Sequence, residues 1–289
     1  MQYAVRNTKN TTSLKRQTVY GETFEDFLMD KLAYIAHLNI YYLKKLLGKE
    51  SGCPVLAYHK INNMDPNDRY AVKTEDFEEH MRYLFYKGYR TISLSKYVKF
   101  ISAGKKIPSK NFVLTFDDGY EDFYTNALPI LKKYNFNATV FIVINLIGKE
   151  NEWDKKNGYL PCRLMNWMQI NEIVKEGIEI GSHTLNHVNL TSCNDDSLEH
   201  EINQSKQILQ DKTGCKIEFF AYPFGKFTDK VKNIVENNYI SACAISEDND
   251  RYDQFAINRV NIANKDSAFK VYTKMTGTYC KVRDLGLIK

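Results

Sequence analysis

The chain has 289 residues, of which 43% are hydrophobic, enough to form one large α/β domain or two small ones. Its 40 basic and 35 acidic residues nearly balance, and no basic cluster is interleaved with the aromatic residues, so we expect no nucleic-acid partner. No segment reaches the ~18 apolar residues of a transmembrane span. Residues 1–20 are polar and lack the apolar region of a signal peptide. The sequence as written therefore predicts a cytoplasmic protein, and an extracytoplasmic location would require an additional export segment.

The first 50 residues predict an N-terminal extension, followed by one domain that spans residues 51–289. Residues 1–21 are rich in Thr, Asn, Lys and Gln, a composition typical of disorder. A helical pattern then runs over residues 23–47, with Thr23 as a plausible N-cap and Gly48 as a stop. This helix could pack on the domain, mediate dimerisation or contact a membrane surface peripherally.

Short β-prone segments alternate with helical patterns along the rest of the chain. The expected strands cover residues 54–59, 89–92, 111–116, 138–144, 178–181, 217–221, 240–245 and 255–262. Thr74 is expected to cap one helix, other helical patterns begin at Leu94, Asp195 and Asp266, and further ones end near Lys133, Lys175 and Asn237. Two loops interrupt the alternation, an insertion at 148–163 and a charged loop at 248–253. The pattern predicts parallel βα units, arranged as a closed barrel or a doubly wound sheet.

Five polar residues and one phenylalanine lie at or just past the C-terminal ends of these strands, where the functional residues of βα barrels lie. The residues that share this placement are His59, Asp117, Asp118, His183, His187 and Phe224. Their convergence at one end of the sheet predicts a site there. The alternative for the segment Asp117-Asp118-Gly119 alone is an ordinary turn, because Asp-Gly is a common turn pair.

His183 and His187 are four residues apart, which is about one helical turn, so both imidazoles could face one point. With one carboxylate they form a set that suits Zn²⁺ or another divalent first-row metal. The alternative is a pair of surface or buried structural histidines. The second carboxylate could then take a proton from a water that the metal activates. Glycoside hydrolysis would need carboxyls ~5–9.5 Å apart across a sugar ring, for which sequence neighbours are poorly placed.

Three ordered motifs resemble the polysaccharide deacetylases of carbohydrate esterase family 4, the NodB-homology group. They are Thr115-Phe116-Asp117-Asp118-Gly119, the pair His183 and His187, and Phe220-Ala221-Tyr222-Pro223-Phe224-Gly225. The Tyr58-His59 pair is similar to the branch that deacetylates poly-β-1,6-N-acetylglucosamine. The resemblance implies a distorted (β/α) barrel and metal-dependent N-deacetylation, and the predicted N-terminal helical extension precedes this barrel. The resemblance also implies Asp117 as the general base, Asp118, His183 and His187 as metal ligands, and the backbone N–H of Phe224 as an oxyanion donor.

The chain departs from that family pattern at two positions. Many members carry an Arg in the third motif, where this chain has Ala221, and Arg259 on the last strand is our candidate replacement. The alternative is that Arg259 is an ordinary structural arginine. Many members also carry a histidine near the C-terminus, whereas no histidine follows His200 here. The branch with Tyr-His on its first strand resembles a rearranged order in which this histidine is supplied early, so the resemblance implies His59 as the general acid, against a supporting or structural histidine. His37, His80 and His200 lie in helical patterns, and we expect them at the surface.

These observations favour a metal-dependent hydrolase of linear amides that removes N-acetyl groups from a sugar or polysaccharide containing N-acetylglucosamine. The resemblance implies a divalent metal, with Zn²⁺ expected first and Co²⁺ or Ni²⁺ as alternatives. A deacetylase or deformylase of a small-molecule amide is a second hypothesis, motivated by the missing signal peptide. A glycan-binding module without catalysis is a third, motivated by the altered third motif.

Overall fold

The structure is a computed structural model that describes residues 52–156, 158–245 and 253–277. The predicted N-terminal extension with its helix, His37 and most of the charged loop at 248–253 lie outside these residues. In the ranges that are described, no helix combines the length and the apolar character needed to cross a membrane.

Short strands follow the predicted segments closely. In chain order they are β1 (Val55–Tyr58), β2 (Lys60–Ile61), β3 (Ala71–Val72), β4 (Arg90–Thr91), β5 (Asn111–Phe116), β6 (Thr139–Ile142), β7 (Glu179–Ser182), β8 (Phe219–Ala221), β9 (Ser241–Ala244), β10 (Ile257–Asn258) and β11 (Val260–Asn261). The pair β2 and β3 forms a small separate sheet, which the strand pattern did not predict.

Helices occupy the connections between the strands. They are α1 (Thr74–Tyr86), α2 (Leu94–Ser102), α3 (Leu128–Tyr134), α4 (Trp153–Lys156), α5 (Trp167–Lys175), α6 (Asp195–Thr213), α7 (Asp229–Asn238) and α8 (Ala268–Met275). A π-helical turn, Phe123–Ala127, precedes α3, and 3-10 turns cover Leu190–Ser192 and Pro223–Gly225. The prediction that Thr74 caps α1 is wrong, because Thr74 is its first helical residue and its backbone N–H donates to Oδ1 of Asn63.

The main sheet is parallel throughout and closes on itself at its last strand. Its order is β10-β9-β8-β7-β6-β5-β1-β11, and β4 pairs only with the start of β5. The closing segment is continuous, since a single residue, Arg259, separates β10 from β11. Its first half pairs with β9 and its second half with β1. Because one strand is shared between two edges, the barrel is distorted, and the barrel alternative of the sequence prediction is confirmed.

Successive side chains along each strand point alternately outward, toward the helices, and inward, into the barrel. In β5, Phe112, Leu114 and Phe116 belong to the large core that includes the buried face of α1. The alternate residue Val113 belongs to a second cluster, in which inward-facing strand residues pack with residues of α2. Its buried members are Val55, Ile92, Leu94, Tyr97, Val98, Val113, Phe141, Phe219, Ala221, Cys243 and Ile257. Asp117 continues the inward-facing series, so the parity of the strand directs its carboxylate into the top of the barrel.

His80 corrects one prediction. It was expected at the surface because it lies in a helical pattern, but it is 1% exposed on α1. Its Nε2 lies 2.6 Å from the carbonyl oxygen of Asp266, so Nε2 carries the proton, and the Tyr58 hydroxyl, 3.2 Å away, donates to Nδ1. The imidazole thus joins α1 to β1 and to the loop before α8. His200 is exposed, as predicted.

Candidate active site

The two adjacent aspartates after β5 point in different directions because the backbone turns sharply between them. Asp118 has a φ of 70° and Gly119 a φ of 77°, both in the left-handed region. A Cβ atom on Gly119 would lie 3.0 Å from Cδ1 of Ile142, so a larger residue there would be both strained and crowded. The turn gives the neighbouring carboxylates separate surroundings, although both residues are 3% exposed.

Asp117 is held by a buried arginine from the closing strand. Nη1 of Arg259 donates to Oδ1 of Asp117 at 2.6 Å, and Nη2 donates to Oδ2 at 2.7 Å. Nη1 also donates to the Thr115 hydroxyl, and Nε donates to the carbonyl oxygen of Ala244. Burial raises the pKa of the Asp117 carboxyl, but the charge and hydrogen bonds of Arg259, together with the nearby His183 and His59, outweigh burial and keep that pKa below its ordinary value. The structure therefore places Arg259 against the predicted base.

Asp118 faces the two predicted ligand histidines. Its Oδ1 lies 3.4 Å from Nε2 of His183 and 3.2 Å from Nε2 of His187. Both distances are within the range of ion pairs, but neither contact has the geometry of a hydrogen bond. Oδ1 of Asp118 therefore has no hydrogen-bond partner among the described residues. The two histidines converge through a loop after β7 and not through a helical turn, which corrects the reason given for their spacing. Thr184, with a φ of 69°, and His187, with a φ of 53°, are both left-handed in this loop.

A buried glutamate on α6, which the sequence did not single out, fixes this loop. Oε2 of Glu201 accepts hydrogen bonds from the backbone N–H groups of Leu185 and Asn186, and Oε1 accepts one from the Asn186 side chain at 2.6 Å. The Thr184 hydroxyl accepts the backbone N–H of His187. Glu201 lies sixteen residues after Leu185, within a long helical pattern. No sequence motif surrounds it that could have identified its role.

His59 lies on the other side of Asp117. Its Nε2 is 3.8 Å from Oδ2 of Asp117, and its side chain is 14% exposed. Burial lowers the pKa of His59, while the charges of Asp117 and Asp118 oppose that change without cancelling it. The imidazole is therefore favoured in its neutral form beside an ionised carboxylate.

Aromatic rings surround the two histidines at the mouth of the barrel. The ring of His187 lies 4.2 Å from that of Trp153 and 4.7 Å from that of Phe224, measured between centroids. Phe224 is 52% exposed and has a φ of 60°, which is unusual for a bulky side chain. It is the second residue of a 3-10 turn, a position whose backbone N–H the turn itself does not satisfy. The Tyr70 ring lies 4.9 Å from that of His59.

Backbone strain is concentrated here. The described residues include seven left-handed residues other than glycine, and four of them, Asp118, Thr184, His187 and Phe224, belong to this site. Such conformations persist where the surrounding structure holds them in place, and they are common at functional sites.

The donor set fits a divalent cation. One oxygen of Asp118 and one nitrogen each of His183 and His187 lie within 4.8 Å of one another. Burial lowers the pKa of His187 to about 4, so this imidazole is neutral, as metal binding requires. Burial also lowers the pKa of His183, but the neighbouring Asp118 and Asp117 carboxylates raise it above its ordinary value. A buried carboxylate oxygen without a partner, facing two imidazole nitrogens, is the arrangement a cation would complete.

Comparison with known proteins agrees with this geometry. The family model described as polysaccharide deacetylase matches residues 104–242, which contain both aspartates, both ligand histidines and Phe224. Residues 104–242 therefore form a polysaccharide deacetylase domain. The matched range contains neither His59 nor Arg259, so this match does not bear on the roles predicted for these two residues.

Two polysaccharide deacetylase relatives and one solved structure show the extent of the similarity. YxkH of Bacillus subtilis, whose name assigns it provisionally to the polysaccharide deacetylases, is 29% identical over 188 residues, which are 65% of this chain and 62% of that protein. The poly-beta-1,6-N-acetyl-D-glucosamine N-deacetylase of Staphylococcus epidermidis is 27% identical over 278 residues, covering 86% of this chain and 92% of that one. The deacetylase PplD of Streptococcus pyogenes, solved in complex with acetate, is 26% identical, with a TM-score of 0.69 over 78% of this chain and 99% of PplD.

Proposed function

We propose that this chain is a metal-dependent hydrolase that removes N-acetyl groups from an N-acetylated glycan built from N-acetylglucosamine. One observation carries the proposal: adjacent carboxylates have separate partners, Asp117 a buried arginine and Asp118 two imidazoles. With this division, Asp117 could act as a base that does not bind the metal, while the adjacent Asp118 binds the metal. The match of residues 104–242 to the polysaccharide deacetylase model supports the reaction class, and the name of the Staphylococcus epidermidis relative supports the polymer.

Asp118, His183 and His187 would hold the cation, which we propose to be Zn²⁺, with Co²⁺ or Ni²⁺ as alternatives. When bound, a divalent cation here supplies Lewis acidity that makes a water nucleophilic and polarises a carbonyl. Each of the three residues presents one donor atom, which leaves coordination positions open for water and substrate.

Asp117 takes the proton from the attacking water. Its bidentate pairing with Arg259 fixes the orientation of both carboxylate oxygens and keeps the group ionised at neutral pH. The oxygen that attacks the acetyl carbon becomes part of acetate. The backbone N–H of Phe224 donates to the oxygen of the tetrahedral intermediate, which is negatively charged.

His59 delivers a proton to the departing nitrogen. The C–N bond breaks, the sugar keeps its nitrogen as an amine, and this amine needs a proton to leave. Since Nε2 of His59 lies 3.8 Å from Asp117, a small movement of either side chain lets the proton taken from water pass to the imidazole and on to the amine. Water and the N-acetyl group thus yield acetate and an amine without any other reactant.

The surroundings of the site suit a sugar ring. Trp153, Phe224 and Tyr70 present aromatic surfaces next to the catalytic histidines. Rings of this kind combine a large apolar face with little conformational freedom, so they suit the C–H faces of pyranose units.

Acetate release tests the proposal. The purified chain is stripped with a chelator and assayed with Zn²⁺, Co²⁺ or Ni²⁺ on poly-β-1,6-N-acetylglucosamine oligomers, on the N-acetylglucosamine monomer and on small acetylated and formylated amides. We expect release from the oligomers that depends on added metal. Faster turnover of the small amides would support the second hypothesis instead. Binding of oligomers by the metal-loaded chain without acetate release would refute the catalytic proposal.

A further inference from the structure

Lys60 follows His59 directly and is one of the most buried charged residues in the described chain. It is 1% exposed, and its ammonium group contacts two buried carboxylates, Asp68 at 2.5 Å and Asp154. Burial lowers the pKa of Lys60, but its hydrogen bonds to Asp154 and Asp68 outweigh burial and keep the group charged. The rings of Tyr120 and Tyr159 lie 5.2 and 5.9 Å from Nζ.

Asp154 connects Lys60 to the aromatic ring beside His187. Its neighbour Trp153 lies 4.2 Å from the His187 ring. Asn151 donates to Asp154 and to the Tyr120 hydroxyl, and Nε1 of Trp153 donates to the same hydroxyl. The short helix α4 is therefore attached to the barrel through polar contacts that end at Lys60.

Asp68 connects Lys60 to the ring beside His59. Oδ1 of Asp68 accepts the backbone N–H of Tyr70 at 2.8 Å, while Oδ2 binds the ammonium group. The Tyr70 ring lies 4.9 Å from the His59 ring. The loop between β2 and β3 and the loop that carries α4 thus meet at one cation.

The two histidines that touch these rings share an unusual feature. Nδ1 of His59 and Nδ1 of His187 are buried and have no hydrogen-bond partner among the described residues. Nδ1 of His183, in contrast, lies 2.8 Å from the carbonyl oxygen of Ala221 and donates to it. A catalytic or ligating imidazole is normally oriented by such a bond. His59 and His187 depend on ring packing for their orientation.

We propose that Lys60 is a positioning residue that orients His59 through Asp68 and Tyr70, and His187 through Asp154 and Trp153. The expected effects on turnover and on zinc affinity rest on the proposed function, whereas the expected effect on the quenching of Trp153 does not. One buried cation thereby couples the acid side of the site to the metal side. Asp154→Asn loosens only the metal side, Asp68→Asn only the acid side, and Lys60→Met both.

The chain offers a direct probe, because its only two tryptophans are Trp153 and Trp167. In a Trp167→Phe background, acrylamide quenching of fluorescence reports on Trp153 alone. We expect Asp154→Asn and Lys60→Met to increase quenching and to lower zinc affinity by about tenfold in titration calorimetry. We expect Asp68→Asn to leave both readouts unchanged and to lower kcat with little change in KM.

Lys133→Met is the matched control, since Lys133 pairs with Glu78 at the surface and lies outside the site. It should leave quenching, zinc affinity and turnover unchanged. The proposal is overturned if Asp154→Asn lowers the melting temperature but keeps the quenching and zinc affinity of the parent. If Lys60→Met does not fold, the two aspartate variants decide the question. If the parent binds zinc but releases no acetate, the proposed function fails while quenching and zinc affinity still test Lys60.

Discussion

Replacing Arg259 tests whether the closing strand supplies the residue that orients the base. In Arg259→Met the Asp117 carboxylate loses both of its charged hydrogen bonds at a place where the two side chains are 0% and 4% exposed. Arg259→Lys keeps the positive charge but presents its donors from a single atom. It cannot reproduce two parallel bonds to Asp117 together with those to Thr115 and Ala244.

The structure sets the size of each effect. Removing one partner of a buried ion pair costs about 3–5 kcal/mol of unfolding free energy, which we expect for Arg259→Met. Losing one or two hydrogen bonds of a charged group costs about 1.5–3 kcal/mol each, so Arg259→Lys should be the milder variant. Without Arg259, burial raises the pKa of Asp117 and favours its protonated form, which cannot act as a base. The loss in kcat should then approach the ~10²–10⁴-fold contribution of general base catalysis.

Urea unfolding, zinc titration and acetate release are measured on the same preparations. We expect activity to fall in the order parent, Arg259→Lys, Arg259→Met, with unchanged zinc affinity because Arg259 contacts none of the three ligands. Arg90→Met is the matched control, because Arg90 is an exposed strand arginine that lies over the Phe85 ring and donates hydrogen bonds to the carbonyl oxygens of Phe85 and Tyr89, far from Asp117. A folded Arg259→Met variant with parental kcat would refute the orienting role. If Arg259→Met does not fold, a parental kcat in Arg259→Lys would refute the orienting role instead.

Three further changes probe how the fold supports the site. Glu201→Gln removes a charged acceptor from the loop between the ligand histidines, so we expect about tenfold weaker zinc binding by calorimetry. Burial lowers the pKa of His80, so the unfolded chain binds more protons there; its stability contribution is present above the unfolded pKa of about 6.5 and is lost as pH falls. His80→Gln should therefore flatten the fall in urea midpoint on acidification. Gly181→Ala places a Cβ 2.6 Å from the Phe141 ring, which should cost about 1–3 kcal/mol in urea unfolding.

Each of these expectations has its own control and its own contradiction. Gly52→Ala controls for Gly181→Ala, because a Cβ on Gly52 meets nothing within 4 Å. Equal urea midpoints for the two alanine variants would show that the barrel interior accommodates the methyl group. Parental zinc affinity in Glu201→Gln would mean that the loop holds its shape without the carboxylate. The His80 argument fails if the parent and His80→Gln lose stability equally between pH 7 and pH 5.

The sequence predicted eight strand positions, seven around the barrel and β4 beside β5, because most of these strands are short apolar runs bounded by turn residues. It predicted the members of the site because they follow strand ends, where parallel strands bring side chains together. It could not decide between a closed barrel and an open sheet, since closure depends on one segment that pairs with β9 and β1 on either side of Arg259.

The details that the sequence could not provide depend on tertiary contacts. The convergence of His183 and His187 through left-handed residues was attributed to a helical turn, because spacing alone cannot distinguish the two. His80 occupies a helix position like those of surface residues, but Tyr58 and the Asp266 carbonyl satisfy both of its nitrogens. Lys60 and Glu201 carry no motif, since their partners are distant in sequence.

The separate work of the two adjacent aspartates is the central claim, and one paired measurement tests it most directly. Asp117→Asn and Asp118→Asn make the same chemical change at neighbouring positions, and zinc content and acetate release are measured for both. We predict that Asp117→Asn binds zinc like the parent and loses at least about 10²-fold in kcat, whereas Asp118→Asn loses zinc as well as activity. Turnover by Asp117→Asn at the parental rate, or full zinc content in Asp118→Asn, would contradict this division.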